Sequence, residues 1–365
     1  MTLPLSANAE GLERFNIDPS FLFDGGSAAN ISFASVSPSL DASEGALFDL
    51  ETGLDVAPSF SALTGSVKTS VGDNIDLGIW YSNSGNGVAI DWGTIAGATS
   101  LGSNVDFTIE ADLKMPTLAA LGRYKVTDNI SVFGGIKRVT VNDGAYVKLG
   151  SNLVSAGGVI DEQSHWILSE TSEMGMLYGA AYEMPDIALR VSLMIEDDID
   201  LKIATTVGAG VAPAAGNSTA SIGDAMTLNF QSGIAEDTLL FGSIRNSKWK
   251  DNQVSVPTAA GSAQISDFDD GTSYSLGVGR KMSDDLSLSI SAFYDGGDGS
   301  GASELSPTGA NRSISFGGKY SIAENADLSG GINYSMRGDA TTSNLGATLN
   351  DSTVMTIGAS VAFKF

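Results

Sequence analysis

The residues best suited to chemistry do not assemble into a reactive centre on paper. Asp267-Phe-Asp-Asp-Gly271 starts like a calcium loop, but the twelfth position is Val278 where a bidentate Glu is needed, so a solvated acidic loop is the simpler reading. His165 is the sole histidine and Cys is absent, which leaves no His- or Cys-based metal set and no plausible Ser-His-Asp triad. Gly277-Val-Gly279 lacks the third glycine and the helix of a dinucleotide fingerprint. No spacing singles out a catalytic pair among the 43 acidic residues. The expectation is a non-enzyme without metal or cofactor. The side chains that remain of interest are cations, Lys137, Arg138, Arg190 and Arg245, each a candidate partner for a ligand carboxylate.

The elements that position them are strands. Apolar residues recur at every second position in Ile187–Ile195, Leu286–Tyr294, Leu328–Met336 and Met355–Phe365, while the intervening residues are mostly small, hydroxylic or charged. Six short polar turns punctuate the chain, at residues 72–74, 127–129, 184–186, 235–237, 283–285 and 323–325. Long polar connections alternate with them, roughly at 41–56, 92–104, 150–173, 205–225, 253–270, 297–311 and 339–352. Seven long and six short connections join fourteen strands. A soluble sandwich has no reason to sort its loops this way, whereas an outer-membrane barrel has short turns on one side and long loops on the other. The expected fold is an all-β, 14-stranded antiparallel transmembrane barrel in the outer membrane of a Gram-negative bacterium, and a monomer is expected. No segment approaches the ~20 apolar residues of a membrane helix. The charge of −24 disfavours nucleic acid and an anion-selective pore.

Three segments depart from this pattern. Residues 1–9 read as the remnant of a signal peptide, with Ala7-Asn8-Ala9 as the cleavage pattern. Residues 10–28 do not alternate, and Phe15, Phe21 and Phe23 are too apolar for a free tail, so a plug inside the lumen is expected, ahead of the barrel at 29–365. In the third strand, Ser82-Asn-Ser-Gly-Asn-Gly87 interrupts two apolar runs. It is either a bulge or extra loop, or a kink that opens the wall. In the fifth strand the apolar parity changes between Ile136 and Val139; a bulge at Lys137-Arg138 would explain it and turn one cation inward.

The chain resembles the FadL/TodX family of outer-membrane transporters of long-chain fatty acids and other hydrophobic compounds. The likeness rests on Asn16-Ile-Asp-Pro-Ser20, Ser82-Asn-Ser-Gly85, Glu183-Met-Pro-Asp-Ile-Ala-Leu-Arg-Val191, Phe230-Gln-Ser-Gly-Ile-Ala235 and Phe241-Gly-Ser-Ile-Arg245, and more weakly on the terminal Val361-Ala-Phe-Lys-Phe365. The resemblance implies an N-terminal hatch carrying Phe15, Asn16, Asp18, Pro19, Phe21 and Phe23. It implies a lateral opening at Ser82, Asn83, Ser84, Gly85, Asn86 and Gly87. It also implies passive movement of a hydrophobic cargo from the outer loops through the lumen and sideways into outer-membrane lipid. The family's Asn-Pro-Ala reads Asp18-Pro19-Ser20 here, the hatch is short and the loops are modest. Trp166, Ile167 and Leu168 are the best apolar loop patch for a landing surface. The competing functions are a general porin and a structural or adhesive surface barrel.

Overall fold

The structure, a computed structural model, describes residues 11–43, 48–49, 54–97, 105–155, 158–160, 163–207, 216–258, 261–297, 300–343 and 345–365. The signal remnant expected at residues 1–9 lies outside them.

Fourteen strands run up and down: β1 (Ala28–Ser39), β2 (Phe60–Val71), β3 (Ile75–Gly97), β4 (Val105–Lys125), β5 (Ile130–Val141), β6 (Thr171–Met184), β7 (Leu189–Glu196), β8 (Ala225–Ala235), β9 (Thr238–Ser247), β10 (Gly271–Lys281), β11 (Leu286–Asp295), β12 (Asn311–Ala323), β13 (Ala326–Arg337) and β14 (Thr353–Lys364). Each pairs antiparallel with its sequence neighbour, and β14 closes on β1 from Ala28↔Lys364 to Ser39↔Thr353. Pairing of the last strand with the first closes the ring, the requirement for strands in hydrocarbon. All six short turns fall where alternation stops. No helix among the described residues is long and apolar enough to cross a membrane.

The period-two pattern now has a direction. Ile31, Phe33, Leu77, Ile79, Leu276, Ile290, Ile332 and Ile357 point outward and are exposed, a belt of apolar surface that only lipid can cover. Phe363 and Phe365 continue this parity to the C-terminus. The lumenal residues alternate with them.

Two features differ from the sequence expectation. First, the connection after β5 carries strands Ala145–Ser155 and Gln163–Leu168, and the one after β7 carries Ile199–Val207 and Gly216–Ile222. These hairpins extend the wall upward: Ala145–Ser155 pairs with the top of β4. The sequence pattern places most of these residues in the long connections at 150–173 and 205–225. Second, β5 has no bulge at Lys137-Arg138. Its register runs unbroken against both β4 and β6. The apolar parity changes because the lumen itself changes: its upper half is apolar, so inward Val139 and Val141 are buried there just as inward Lys137 is buried below.

That upper half is filled. Inward Val88, Ile90 and Trp92 of β3 and Ile109, Leu113 and Met115 of β4 join Trp166, Leu201, Trp249, Phe268 and Leu305 from the loops in one apolar core. Burial of this kind is worth roughly 1.5–3 kcal/mol per large side chain. A second cluster lies lower, where Ile17, Phe21 and Leu22 of the N-terminal segment pack on Trp80, Leu121, Phe133, Leu177 and Met194.

Candidate lateral gap and lumenal site

The N-terminal segment descends inside the barrel. Its local structure follows from Asp18-Pro-Ser20. Pro19 pre-sets the first position of a 3₁₀ turn, Pro19–Phe23, and the Asp18 carboxylate caps it by accepting from Ser20 N at 2.9 Å and Ser20 Oγ at 2.7 Å. The turn presses Phe21 and Leu22 onto the wall at Gly78, where a Cβ would collide with the Phe21 ring. Phe23 lies half-buried between two guanidiniums, Arg123 at 4.1 Å and Arg190 at 4.7 Å from its ring centre, and meets Phe133 edge-on. Phe15 is buried in the upper core, Pro19 is buried, Asn16 is half-buried and Asp18 is exposed.

At residues 82–87 the wall is interrupted. β2 pairs with β1 as far as Phe60, but with β3 only from Val71 to Thr64, opposite Ser82. Asn83 ends that ladder by accepting from Leu63 N at 2.8 Å through its side chain. Beyond it, β3 turns inward. Against β4 its register slips between Ser82 and Asn86, four steps on β3 facing two on β4. Gly87 sits at φ +136°, a conformation that only glycine adopts readily. The edge β3 should offer to β2 is given to the N-terminal segment: Arg14 N and Phe15 N both donate to Gly85 O at 3.0 Å, and Gly87 N donates to Leu12 O at 2.7 Å. Ser84 N bonds Ser82 Oγ, and Asn86 Nδ2 bonds Thr117 Oγ1. Higher up, Asp91 N donates to Val56 O at 2.9 Å and residues 48–49 pair with residues 96–97, which bounds the interruption above.

Behind this gap is a cavity of about 130 Å³. Val36, Leu40, Phe60, Val88, Ile90 and Leu305 give it apolar walls. Arg14 stands at its rim, 4.3 Å over the Phe60 ring and 3.5 Å from Ser84 Oγ. Burial pulls this guanidinium down to about 10, against a smaller upward pull from Asp112, so it stays charged at neutral pH. Sequence reasoning missed Arg14; its position beside the apolar hatch residues was the available signal.

The fold so described is shared with solved outer-membrane channels. A Pseudomonas aeruginosa FadL homologue aligns over 98% of this chain and 96% of its own, with a TM-score of 0.70 at 12% identity. The Pseudomonas putida toluene transporter TodX aligns over 98% and 96%, with a TM-score of 0.66 at 14% identity. The Ralstonia pickettii toluene transporter TbuX aligns over 99% and 98%, with a TM-score of 0.62 at 14% identity. The chain has the FadL/TodX-type barrel fold. Its sequence matches no protein-family model and no curated protein.

The carboxylate candidates do not converge on one ligand site, although Lys137 and Arg245 meet on Glu196. Lys137 Nζ donates to Glu196 Oε1 at 3.0 Å, and Arg245 is bound to both Glu196 and Glu13. Arg190 stacks on Phe23 and donates to Gln231 Oε1 at 3.0 Å. Arg138 points outward and donates to Ser172 Oγ at 2.7 Å. None of the four lines the cavity behind the gap. In the loop patch, Trp166 and Leu168 are buried in the upper core, with Trp166 Nε1 donating to Pro257 O at 2.8 Å, and Ile167 alone of the three is exposed. Asp270, in the acidic loop, accepts from Trp249 N, Lys250 N and Lys248 Nζ, a structural cap. No metal-sized group of His, Cys, Asp and Glu occurs among the described residues.

Proposed function

We propose that this protein is a passive transporter of hydrophobic molecules in the outer membrane of a Gram-negative bacterium, and that cargo moves between the cavity and the outer leaflet through the gap between β2 and β3. The observation that carries this reading is the coincidence of an apolar cavity with the one stretch where β2 and β3 are not hydrogen-bonded. Residues 10–28 act as the hatch, and residues 82–87 form the rim of the opening. No step needs energy input: a hydrophobic solute lowers its free energy on leaving water, and the gap offers lipid without a crossing of the polar headgroup layer.

Size argues about the cargo. An apolar cavity of 150 Å³ in another protein takes up benzene. A cavity of about 130 Å³ therefore suits a ring-sized hydrocarbon or a segment of a longer tail. The solved toluene transporters of the same fold support the first choice. A long-chain fatty acid would fit in part, with Arg14 as the carboxylate partner. The packed upper lumen argues against a general porin.

Filling the cavity tests the proposal. Val88→Trp should abolish uptake of labelled toluene into vesicles while leaving the heat-modifiable barrel intact, and planar bilayers should show no large steady openings. Undiminished uptake, or large openings in the unaltered protein, would overturn it.

A further inference from the structure

Four charges are buried in alternating sign between the hatch and the far wall. Lys137 on β5 binds Glu196 on β7 at 3.0 Å, and Glu196 Oε2 accepts from Arg245 Nη1 on β9 at 2.6 Å. Arg245 closes a two-pronged contact on the hatch carboxylate: Nη2 bonds Glu13 Oε1, and Nε bonds Glu13 Oε2 at 3.2 Å. Thr227 Oγ1 on β8 takes a further bond from Arg245 Nη1 at 2.6 Å. All four ionic side chains are less than a tenth exposed.

Position makes this more than a fold-stabilising cluster. Glu13 lies between Leu12 and Arg14, the residues whose backbone holds Gly85 and Gly87, and it forms a bridge with Asn86. Arg245 is six strands round the ring from β3, nearly opposite it. The inner rim of the gap is therefore braced against the opposite wall through the Glu13–Arg245 contact. A buried charge left without its partner is costly, so the contact resists displacement. We infer that Arg245 is a positioning residue for the lateral gap, acting through Glu13 to hold the inward-turned segment 85–87 in place. Arg245 does not line the cavity, while Glu13 stands in its wall beside Arg14. The inference deepens the transport reading and rests on it for its functional meaning, though the brace itself is a matter of geometry.

Amide exchange in the full-length barrel in detergent micelles reads the brace directly. Glu13→Gln should speed exchange of the Arg14, Phe15 and Gly87 amides at least tenfold, with β11 amides unchanged. Asp327→Asn, which breaks the separate Lys319–Asp327 pair, should leave those three amides as they were. Should Glu13→Gln not fold, the double variant Glu13→Gln, Arg245→Met removes both charges and leaves Lys137 with Glu196; it should show the same fast exchange. Wild-type protection of the three amides in a folded variant overturns the inference. Uptake is read separately: fast exchange with unaltered uptake supports the brace and counts against the gap as the cargo route.

Discussion

Replacing Gly87 with Val attacks the gap at its most constrained residue. At φ +136° a side chain is strained by about 1–3 kcal/mol. The new Cβ would also run into Leu113 O, so the backbone must move, and the Gly87 N bond to Leu12 O is lost at about 0.5–1.5 kcal/mol. The sum, about 1.5–4.5 kcal/mol, disfavours the inward-turned edge by roughly 10- to 1,600-fold against any arrangement that relieves it. The two surplus residues of β3 must then bulge elsewhere, and the rim no longer meets the hatch. Gly144→Ala is the control. Its φ is +77° but nothing lies within 4 Å of the added carbon, so it carries backbone strain alone, far from the gap. Uptake of labelled toluene, normalised to heat-modifiable folded protein in vesicles, should fall at least tenfold for Gly87→Val and stay unchanged for Gly144→Ala. A folded Gly87→Val protein that transports at the wild-type rate would refute the reasoning.

Gly78→Leu should drive Phe21 off the wall and loosen the hatch, read as increased single-channel current; an unchanged current would mean that the hatch does not fill the lower lumen. Trp166→Ala should destabilise the folded barrel by about 3–5 kcal/mol, seen as a lower temperature for loss of heat-modifiability, whereas Ile167→Ser should leave that temperature in place. Burial raises the Asp24 carboxyl against the pull of Arg190, Lys364 and Lys68. A raised carboxyl favours the folded state most at low pH and loses that contribution as pH climbs from the unfolded value near ~4 through the folded one. Asp24→Asn should therefore slow hatch amide exchange at pH 7 and flatten its dependence over the acid range; an unchanged pH profile would contradict this.

The barrel was legible because its physics is local. A strand in hydrocarbon exposes alternate residues to lipid, so Leu286–Tyr294 and Met355–Phe365 carry the signal within a few residues each, and polar turns mark every reversal. The break at residues 82–87 was equally visible, because two glycines among polar residues cannot continue an apolar face. Ala145–Ser155 was not separable from a membrane strand at its start, since a strand above the membrane alternates like one within it, and its end reads as polar connection from residue 150.

What each inward side chain meets was not in the sequence. Arg245 and Glu13 are 232 residues apart, and only closure of the ring brings them together. The change of apolar parity between Ile136 and Val139 read as a bulge, yet Lys137 and Val139 share one inward face, because a lumen that is polar below and apolar above accepts both there. Trp166 and Leu168 read as an exposed patch until the loops folded over them. Alternation in the chain determined which elements form and which side faces lipid. The tertiary structure alone decided where β3 gives its hydrogen bonds, and so where the wall is open, because that depends on whether β2 or the hatch is the nearer partner.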